Sequence, residues 1–310
     1  MSAADAQGRV QDAGRWLIVG ARGMLGRDLD ALLTTQGVEH TAPGRAELDL
    51  SDAAAVKDAV AGHDVVVNAA AWTNVDGAET HEAEASAING EAVRGLARAC
   101  AAAGARLLHP STDYVFPGDA TAPIREDAPT SPLNAYGRSK LIGERAVLEF
   151  TPETGYVVRT AWLYGRHNKN FVDTMLRLAG ERESVNVVDD QRGQPTSTVA
   201  LSRQLLALGR AALAGRAPAG VYHGTCAGET TWCGLAKAAF ELTGLDPARV
   251  HPITSDQFPT PAARPAYSVL GHERWAAAGL APMPHWREAL AEYLGERAAA
   301  APPAASASGV

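Results

Sequence analysis

A tyrosine and a lysine spaced four residues apart, Tyr136 and Lys140, form a pair that can move a proton. Residues i and i+4 lie on the same face of a helix. A phenol titrates near pH ~10, and a neighbouring ammonium favours the phenolate and lowers that pKa. We therefore predict that Lys140 tunes Tyr136 to give or take a proton near neutral pH. The same spacing occurs by chance on helix surfaces, so the pair needs partners elsewhere in the chain.

Thr112 is the third candidate for the chemistry. It follows the apolar strand pattern Arg-Leu-Leu-His-Pro, and the carboxyl end of a parallel strand faces the ligand crevice of an α/β sheet. Its hydroxyl could hold a substrate oxygen while Tyr136 delivers the proton. A plain strand-terminal turn is the alternative for Thr112.

A glycine-rich loop upstream supplies what these residues lack, a place for a cofactor. It has the spacing G-x-x-G-x-x-G, directly after a strand pattern and at the start of a helical one. Glycines let the backbone approach a pyrophosphate, and the helix N-terminus attracts its negative charge. The residues predicted to bind a dinucleotide here are Gly20, Arg22, Gly23, Met24, Leu25 and Gly26.

The second strand indicates which dinucleotide is bound. A carboxylate that holds the ribose of NAD is expected about 20 residues after the loop, but Arg45 stands in that region. Arg45 and Arg22 together suit a 2′-phosphate, which favours NADPH. We place Asp49 and Leu50 at the adenine side. Arg45 could equally be a solvated surface residue, and use of NADH stays possible.

Alternating strand and helix patterns predict the fold class, which is α/β. We expect a Rossmann-type doubly wound parallel sheet with a smaller mixed α/β C-terminal substrate domain. The predicted parts are a flexible N-terminus (1–14), a dinucleotide-binding domain (15–165), a mainly substrate-binding domain (166–296) and a disordered tail (297–310), and the chain can cross between the two domains. Predicted strands include 16–20, 64–70 and 156–165, and predicted helices include 24–36, 82–103 and one starting near Asn134.

Composition excludes several classes of protein. The 310 residues carry a net charge of −7, which argues against a general nucleic-acid binder. No apolar run reaches the ~18 residues needed to span a bilayer, and the first residues lack the apolar core of a signal peptide. Three scattered cysteines suit free thiols in a cytoplasmic protein. The histidines form no metal-binding pattern, so we predict no metal site.

Several longer segments resemble one family. They are Asn68 to Asp76 (NAAAWTNVD), Ser111 to Phe116 (STDYVF), Ser131 to Gly137 (SPLNAYG), Arg159 to Gly165 (RTAWLYG), Asp190 to Thr196 (DQRGQPT) and Ala263 to Pro265 (ARP). Together with the glycine loop and Tyr136/Lys140, they resemble the dTDP-4-dehydrorhamnose reductase family, in the extended branch of the short-chain dehydrogenase/reductase superfamily. The resemblance covers roughly residues 15 to 296.

The resemblance implies reduction of a dTDP-linked 4-keto-6-deoxy sugar with NADPH or NADH, by a monomer or homodimer. Thr112, Tyr136 and Lys140 would be catalytic, and Lys140 would also hold the nicotinamide ribose. Further cofactor contacts would come from Ala69, Ala70, Ala71 and Thr73. Substrate contacts would come from Val75, Thr112, Asp113, Tyr114, Tyr136 and Trp162. Asn89 would help to hold the catalytic helix.

Other functions remain open. A related deoxysugar 4-ketoreductase or a dihydrostreptose synthase of antibiotic biosynthesis would share these motifs. Nucleotide-sugar dehydratases resemble the chain but carry a glutamate where Tyr114 stands, and epimerases consume no external hydride. A non-catalytic NADP-binding regulatory subunit also belongs among the alternatives.

Overall fold

Six short strands, most of them buried, form the central sheet of the protein, whose computed structural model describes residues 14–300. The strands are β1 (Trp16–Val19), β2 (His40–Thr41), β3 (Val65–Asn68), β4 (Arg106–Thr112), β5 (Gly155–Thr160) and β10 (Gly220–His223). All pairings are parallel, in the order β10-β5-β4-β3-β1-β2. Because the chain moves outward in opposite directions from β1 and β3, a crevice opens between their carboxyl ends.

Helices cover both faces of this sheet. Those of the first half are α1 (Met24–Thr35), α2 (Ala53–Val60), α3 (Val75–Ala78), α4 (Glu82–Ser86), α5 (Ala92–Ala103) and α6 (Ala135–Phe150). Those of the second half are α7 (Phe171–Glu181), α8 (Thr198–Leu213), α9 (Trp232–Leu242), α10 (Glu273–Ala277) and α11 (Trp286–Ala300).

The alternation of side chains along β1 explains the two layers. Trp16 and Ile18 belong to the core cluster that packs against α1 and α8, whereas Leu17 and Val19 belong to the cluster against α2 and α5. Both faces of the strand are therefore apolar and buried, as a doubly covered parallel strand requires. The predicted Rossmann-type doubly wound sheet is confirmed.

Short strand pairs occupy the second half of the chain. The remaining strands are β6 (Leu163–Tyr164), β7 (Val185–Val188), β8 (Arg192–Gly193), β9 (Thr196–Ser197), β11 (Thr230–Thr231) and β12 (Val250–Ile253). They pair as β12 with β7, β11 with β8, and β6 with β9. Strand β10 also lies within the predicted substrate domain, yet it forms an edge of the central sheet beside β5.

Three details differ from the sequence-based expectation. The predicted strand 156–165 is broken at Trp162, whose φ of 48° cannot continue a strand. The predicted helix 82–103 contains a π-helical turn over Ala87–Glu91. The tail was predicted to begin at residue 297, but α11 continues to Ala300, because alanine is the strongest helix former.

The predictions for residues 1–13 and 301–310 lie outside the described residues. Between residues 14 and 300, no helix is both long enough and apolar enough to cross a membrane.

Candidate active site

The glycine loop between β1 and α1 is built by close backbone contacts. Gly20 has a φ of 79°, and a Cβ there would lie 2.5 Å from the backbone nitrogen of Ala70, after β3. A Cβ on Gly26 would lie 2.4 Å from the carbonyl oxygen of Gly20. Helix α1 begins after Gly23 and has no side-chain cap in the described structure. The loop therefore leaves N–H groups at a helix N-terminus, which is an arrangement that binds phosphate.

Replacing Gly26 with alanine is expected to weaken dinucleotide binding at least about tenfold, because the new methyl group must push the loop away from α1. Binding can be measured by nicotinamide fluorescence. Gly95→Ala is the matched control. Gly95 lies in α5 with open space at its Cβ position, so this variant protein should bind the dinucleotide normally. Unchanged binding in Gly26→Ala would contradict the assigned loop.

The predicted residues for the adenosine half of the cofactor lie beside this loop. Arg22 and Arg45 are both exposed, and the Cγ of Arg22 lies against Gly44. Glu47 faces Arg22 at 4.0 Å between oxygen and nitrogen. Asp49 accepts a hydrogen bond from the Ser51 N–H, and this bond lowers the pKa of its carboxyl.

Thr112 ends β4 at the same edge of the sheet. Its hydroxyl donates to the Asp113 carboxylate at 3.0 Å and accepts from the Tyr114 N–H at 3.2 Å. Burial raises the pKa of Asp113 to about 6. The rings of Tyr114 and Tyr136 pack edge to face, with their centroids 6.1 Å apart. One tight turn thus sets the Thr112 hydroxyl beside two phenols.

Helix α6 carries Tyr136 and Lys140 on one face. Asn134 caps the helix by accepting from the Gly137 N–H at 2.8 Å, which is the preferred role of asparagine at that position. The Asn134 amide also donates to the Ala263 carbonyl at 2.9 Å. The start of the helix is therefore fixed to the C-terminal part of the chain.

The expectation that Lys140 lowers the pKa of Tyr136 is wrong for this structure. Desolvation of the phenol raises its pKa, the Asp113 charge adds to the increase, and only a hydrogen bond with Thr112 opposes it. The Lys140 amine instead donates to the Pro110 carbonyl at 2.8 Å. Tyr136 therefore keeps its proton at neutral pH, which suits a proton donor.

Asn89 holds α6 through the π-helical turn. Its Oδ1 accepts from the Trp72 N–H at 2.9 Å, and its Nδ2 donates to the Trp72 carbonyl and to the Ser139 hydroxyl. A Cβ on Gly143 would lie 2.2 Å from the Asn89 carbonyl oxygen, so only glycine permits this approach. The location agrees with the predicted positioning role of Asn89, and such turns are frequent at functional sites.

His109 links the strand that ends at Thr112 to the helix that carries Lys140. It is fully buried in β4, and its two ring nitrogens lie 3.2 Å from Asn68 Nδ2 and 3.5 Å from Lys140 Nζ. Strand periodicity indicates burial but gives no sign of a contact with a helix 31 residues further along the chain.

One cavity of about 690 Å³ joins the predicted residues. Those that line it are Gly23, Met24, Leu25, Ala69, Ala71, Thr73, Val75, Thr112, Asp113, Tyr114, Tyr136, Lys140 and Trp162. Those that do not are Gly20, Arg22, Gly26, Arg45, Asp49, Leu50 and Ala70. The loop glycines Gly20 and Gly26 shape the cavity from behind, and Leu50 and Ala70 pack with the core.

Aromatic and cationic side chains that sequence reasoning left without a role close the far end. Trp162 stacks on Trp232 with centroids 3.7 Å apart. Arg264 lines the cavity and forms two hydrogen bonds, of 2.9 and 3.0 Å, with the Asp76 carboxylate. Tyr114, Trp232 and Arg264 also line a neighbouring cavity of about 460 Å³. The sequence had indicated this end through the predicted substrate contacts Tyr114 and Trp162 and through the motif around Arg264, but it gave no sign of Trp232.

Comparison with known proteins identifies the family. The family model "RmlD substrate binding domain" matches residues 14–298. The dTDP-4-dehydrorhamnose reductase of Streptomyces griseus is 59% identical over 280 residues, covering 90% of this chain and 92% of that protein. The dTDP-4-keto-6-deoxy-D-glucose reductase of Streptomyces niveus is 50% identical, covering 90% of this chain and 96% of that protein.

A solved structure supports the same family. The dTDP-4-dehydrorhamnose reductase of Bacillus anthracis str. Ames, solved in complex with NADP, superposes with a TM-score of 0.85 at 34% identity, covering 91% of this chain and 99% of that one. The resemblance seen in the sequence is therefore confirmed. The chain belongs to the dTDP-4-dehydrorhamnose reductase family.

Proposed function

We propose that the protein is an NAD(P)H-dependent reductase of the 4-keto group of a dTDP-4-dehydro-6-deoxy-L-sugar, converting dTDP-4-dehydrorhamnose to dTDP-L-rhamnose. One observation carries this proposal. A single cavity runs from the N-terminus of α1 to Thr112, Tyr136 and Lys140. The names of the relatives in Streptomyces griseus and Streptomyces niveus support the same reaction class.

The residues at the start of α1 fit a dinucleotide. Gly23, Met24 and Leu25 line the cavity, and the uncapped first turn of the helix offers N–H groups to a pyrophosphate. Arg22 and Arg45 would take the 2′-phosphate of NADPH, and NADH remains usable without that contact. When bound, the nicotinamide supplies the hydride for the keto carbon.

The protein's own residues handle the oxygen of the substrate. The Thr112 hydroxyl, whose one proton goes to Asp113 in this structure, would turn and donate it to the carbonyl oxygen of the substrate. Tyr136 donates a hydrogen bond to the same oxygen and then transfers its proton to it. Burial keeps that proton on the phenol until negative charge develops on the oxygen. Lys140 holds the nicotinamide ribose, and Ala69, Ala71 and Thr73 also line the cavity.

The substrate end of the cavity fits a sugar nucleotide. Val75, Tyr114 and Trp162 offer apolar and aromatic surface, which suits a 6-deoxy sugar. Tyr114 has no carboxylate for eliminating water, which disfavours the dehydratase alternative. The Streptomyces niveus relative supports a second candidate, reduction of a different dTDP-4-keto sugar at the same site.

Turnover of dTDP-4-keto sugars with NADPH and with NADH tests the proposal. We expect one nicotinamide to be oxidised per sugar reduced, with faster turnover of dTDP-4-dehydrorhamnose and an L-rhamno product by NMR. Sugar conversion without net nicotinamide oxidation would instead identify an epimerase or a dehydratase. Binding of NADPH without turnover of any keto sugar would identify a regulatory subunit.

The remaining partner and location assignments are parts of the same proposal. We expect a cytoplasmic protein, because its three cysteines are free and buried. We expect a monomer or a homodimer that binds the dTDP-sugar and no nucleic acid.

A further inference from the structure

The Lys140 amine lies in a hydrogen-bonded network that none of the assigned roles explains. It reaches from the cavity into the core, where it donates to the Pro110 carbonyl and meets the Nε2 atom of His109. His109 in turn meets Asn68, a residue at the end of β3. All three side chains are nearly inaccessible to solvent, so each proton in the network must have a definite position.

The proton of His109 can be placed from its neighbours. The Ala70 N–H donates to Asn68 Oδ1 at 3.2 Å, which fixes the orientation of that amide. Asn68 Nδ2 is then the atom that faces His109 Nδ1, so Nδ1 must accept. Burial keeps the pKa of His109 well below its usual value, and the ring is neutral. A neutral ring that accepts at Nδ1 carries its proton on Nε2.

The Nε2–H group therefore points at the Lys140 amine. A neutral amine has one lone pair, which can accept from His109, and two N–H groups, one of which donates to Pro110. An ammonium has no lone pair and would face the His109 N–H with a like partial charge. We propose that Asn68 and His109 are positioning residues that hold Lys140 and stabilise its neutral amine.

Other charged groups around Lys140 do not replace this effect. Glu144, one turn further along α6, favours the ammonium, but its charge is paired with Arg159 of β5. Tyr136 lies one turn before Lys140 and is protonated. Burial lowers the pKa of Lys140 to about 8, so at pH 7 the ammonium is in about tenfold excess and the neutral amine is a readily formed minor species.

Under the proposed function, exchange between the ammonium and the neutral amine of Lys140 has a role in the reaction cycle. Tyr136 loses its proton to the substrate oxygen, and the Lys140 ammonium can return a proton to the phenolate. The neutral amine that results is the form held by His109, and it takes its next proton from solvent through the cavity. The inference about the amine itself does not depend on which sugar is reduced.

Titration of the lysine side chains by NMR tests the inference. The sequence has only four lysines, Lys57, Lys140, Lys169 and Lys237, so ¹³Cε-labelled lysine gives few signals, and Lys140→Met identifies the relevant one. We expect its midpoint to rise by about one unit in His109→Met, which lacks an N–H group. His109→Gln can keep an N–H toward Lys140 and should stay within about 0.3 units of the unchanged protein.

An unchanged midpoint in His109→Met, or an equal rise in both variants, would overturn the proposal. If His109→Met does not fold, ¹⁵N-histidine spectra of the unchanged protein decide: a proton on Nε2 supports the inference, and a proton on Nδ1 refutes it. The alkaline limb of the kcat profile should move with the Lys140 midpoint. Normal titration results without turnover of keto sugars would refute the proposed function alone.

Discussion

Tyr136→Phe is expected to lower kcat at least about a hundredfold, because it removes both the transferred proton and a donor to the developing oxyanion. Binding of NADPH should persist, since the glycine loop that is proposed to bind the pyrophosphate lies at another part of the cavity. The measurements are nicotinamide oxidation with dTDP-4-dehydrorhamnose and the fluorescence of bound NADPH. The ring contact with Tyr114 should survive, because phenylalanine keeps the ring.

Tyr267→Phe is the matched control for this substitution. Its hydroxyl contacts only Glu229 in the described structure, at 3.2 Å, and the residue lies outside the cavity. The control should therefore retain normal turnover. Near-normal kcat in Tyr136→Phe would refute the assigned donor, and loss of NADPH binding would show that the substitution disturbs the cavity as a whole.

Arg159→Met should have the largest effect on stability. Arg159 and Glu144 form a buried ion pair with side-chain exposures of 5% and 1% and three hydrogen bonds of 2.8 to 3.2 Å. Loss of the arginine leaves the Glu144 charge buried without a partner, which costs about 3–5 kcal/mol of unfolding free energy. Urea unfolding measures this loss.

Two further variants make this prediction sharp. The double variant Glu144→Leu/Arg159→Met removes both charges and should recover most of the lost stability. Arg203→Met breaks a comparable pair with Glu292 on the surface, where side-chain exposures are 52% and 37%. That variant should cost less than about 1 kcal/mol. Equal losses at the buried and exposed pairs would contradict the assigned importance of burial.

The sequence predicted those features that depend on local spacing. The glycines of the loop between β1 and α1 directly follow a strand pattern, and Tyr136 and Lys140 are one helical turn apart, so the order of residues along the chain is enough to predict both. Thr112 could be placed because parallel strands end at the same edge of a sheet. Family membership does not fix the role of each side chain, so the individual site roles stay predictions.

Features that depend on distant contacts could not be predicted. The direction of the Tyr136 pKa shift follows from burial and from Asp113, and sequence spacing indicated only the amine at i+4. Arg264 meets Asp76 across 188 residues of chain, and Trp232 stacks on Trp162 across 70. The positive φ of Trp162, whose ring stacks on Trp232, is likewise a feature that no strand pattern predicts.

The π-helical turn at Ala87–Glu91 limits how this chain can change in length. Such a turn holds one residue more than the equivalent α-helical turn, and each residue rotates a helix by about 100°. A one-residue deletion here would leave a regular, well-bonded helix, yet it would swing Asn89 away from Ser139. The backbone of this segment could therefore accept the deletion. The deletion would nevertheless remove the contact that aligns the helix carrying Tyr136 and Lys140.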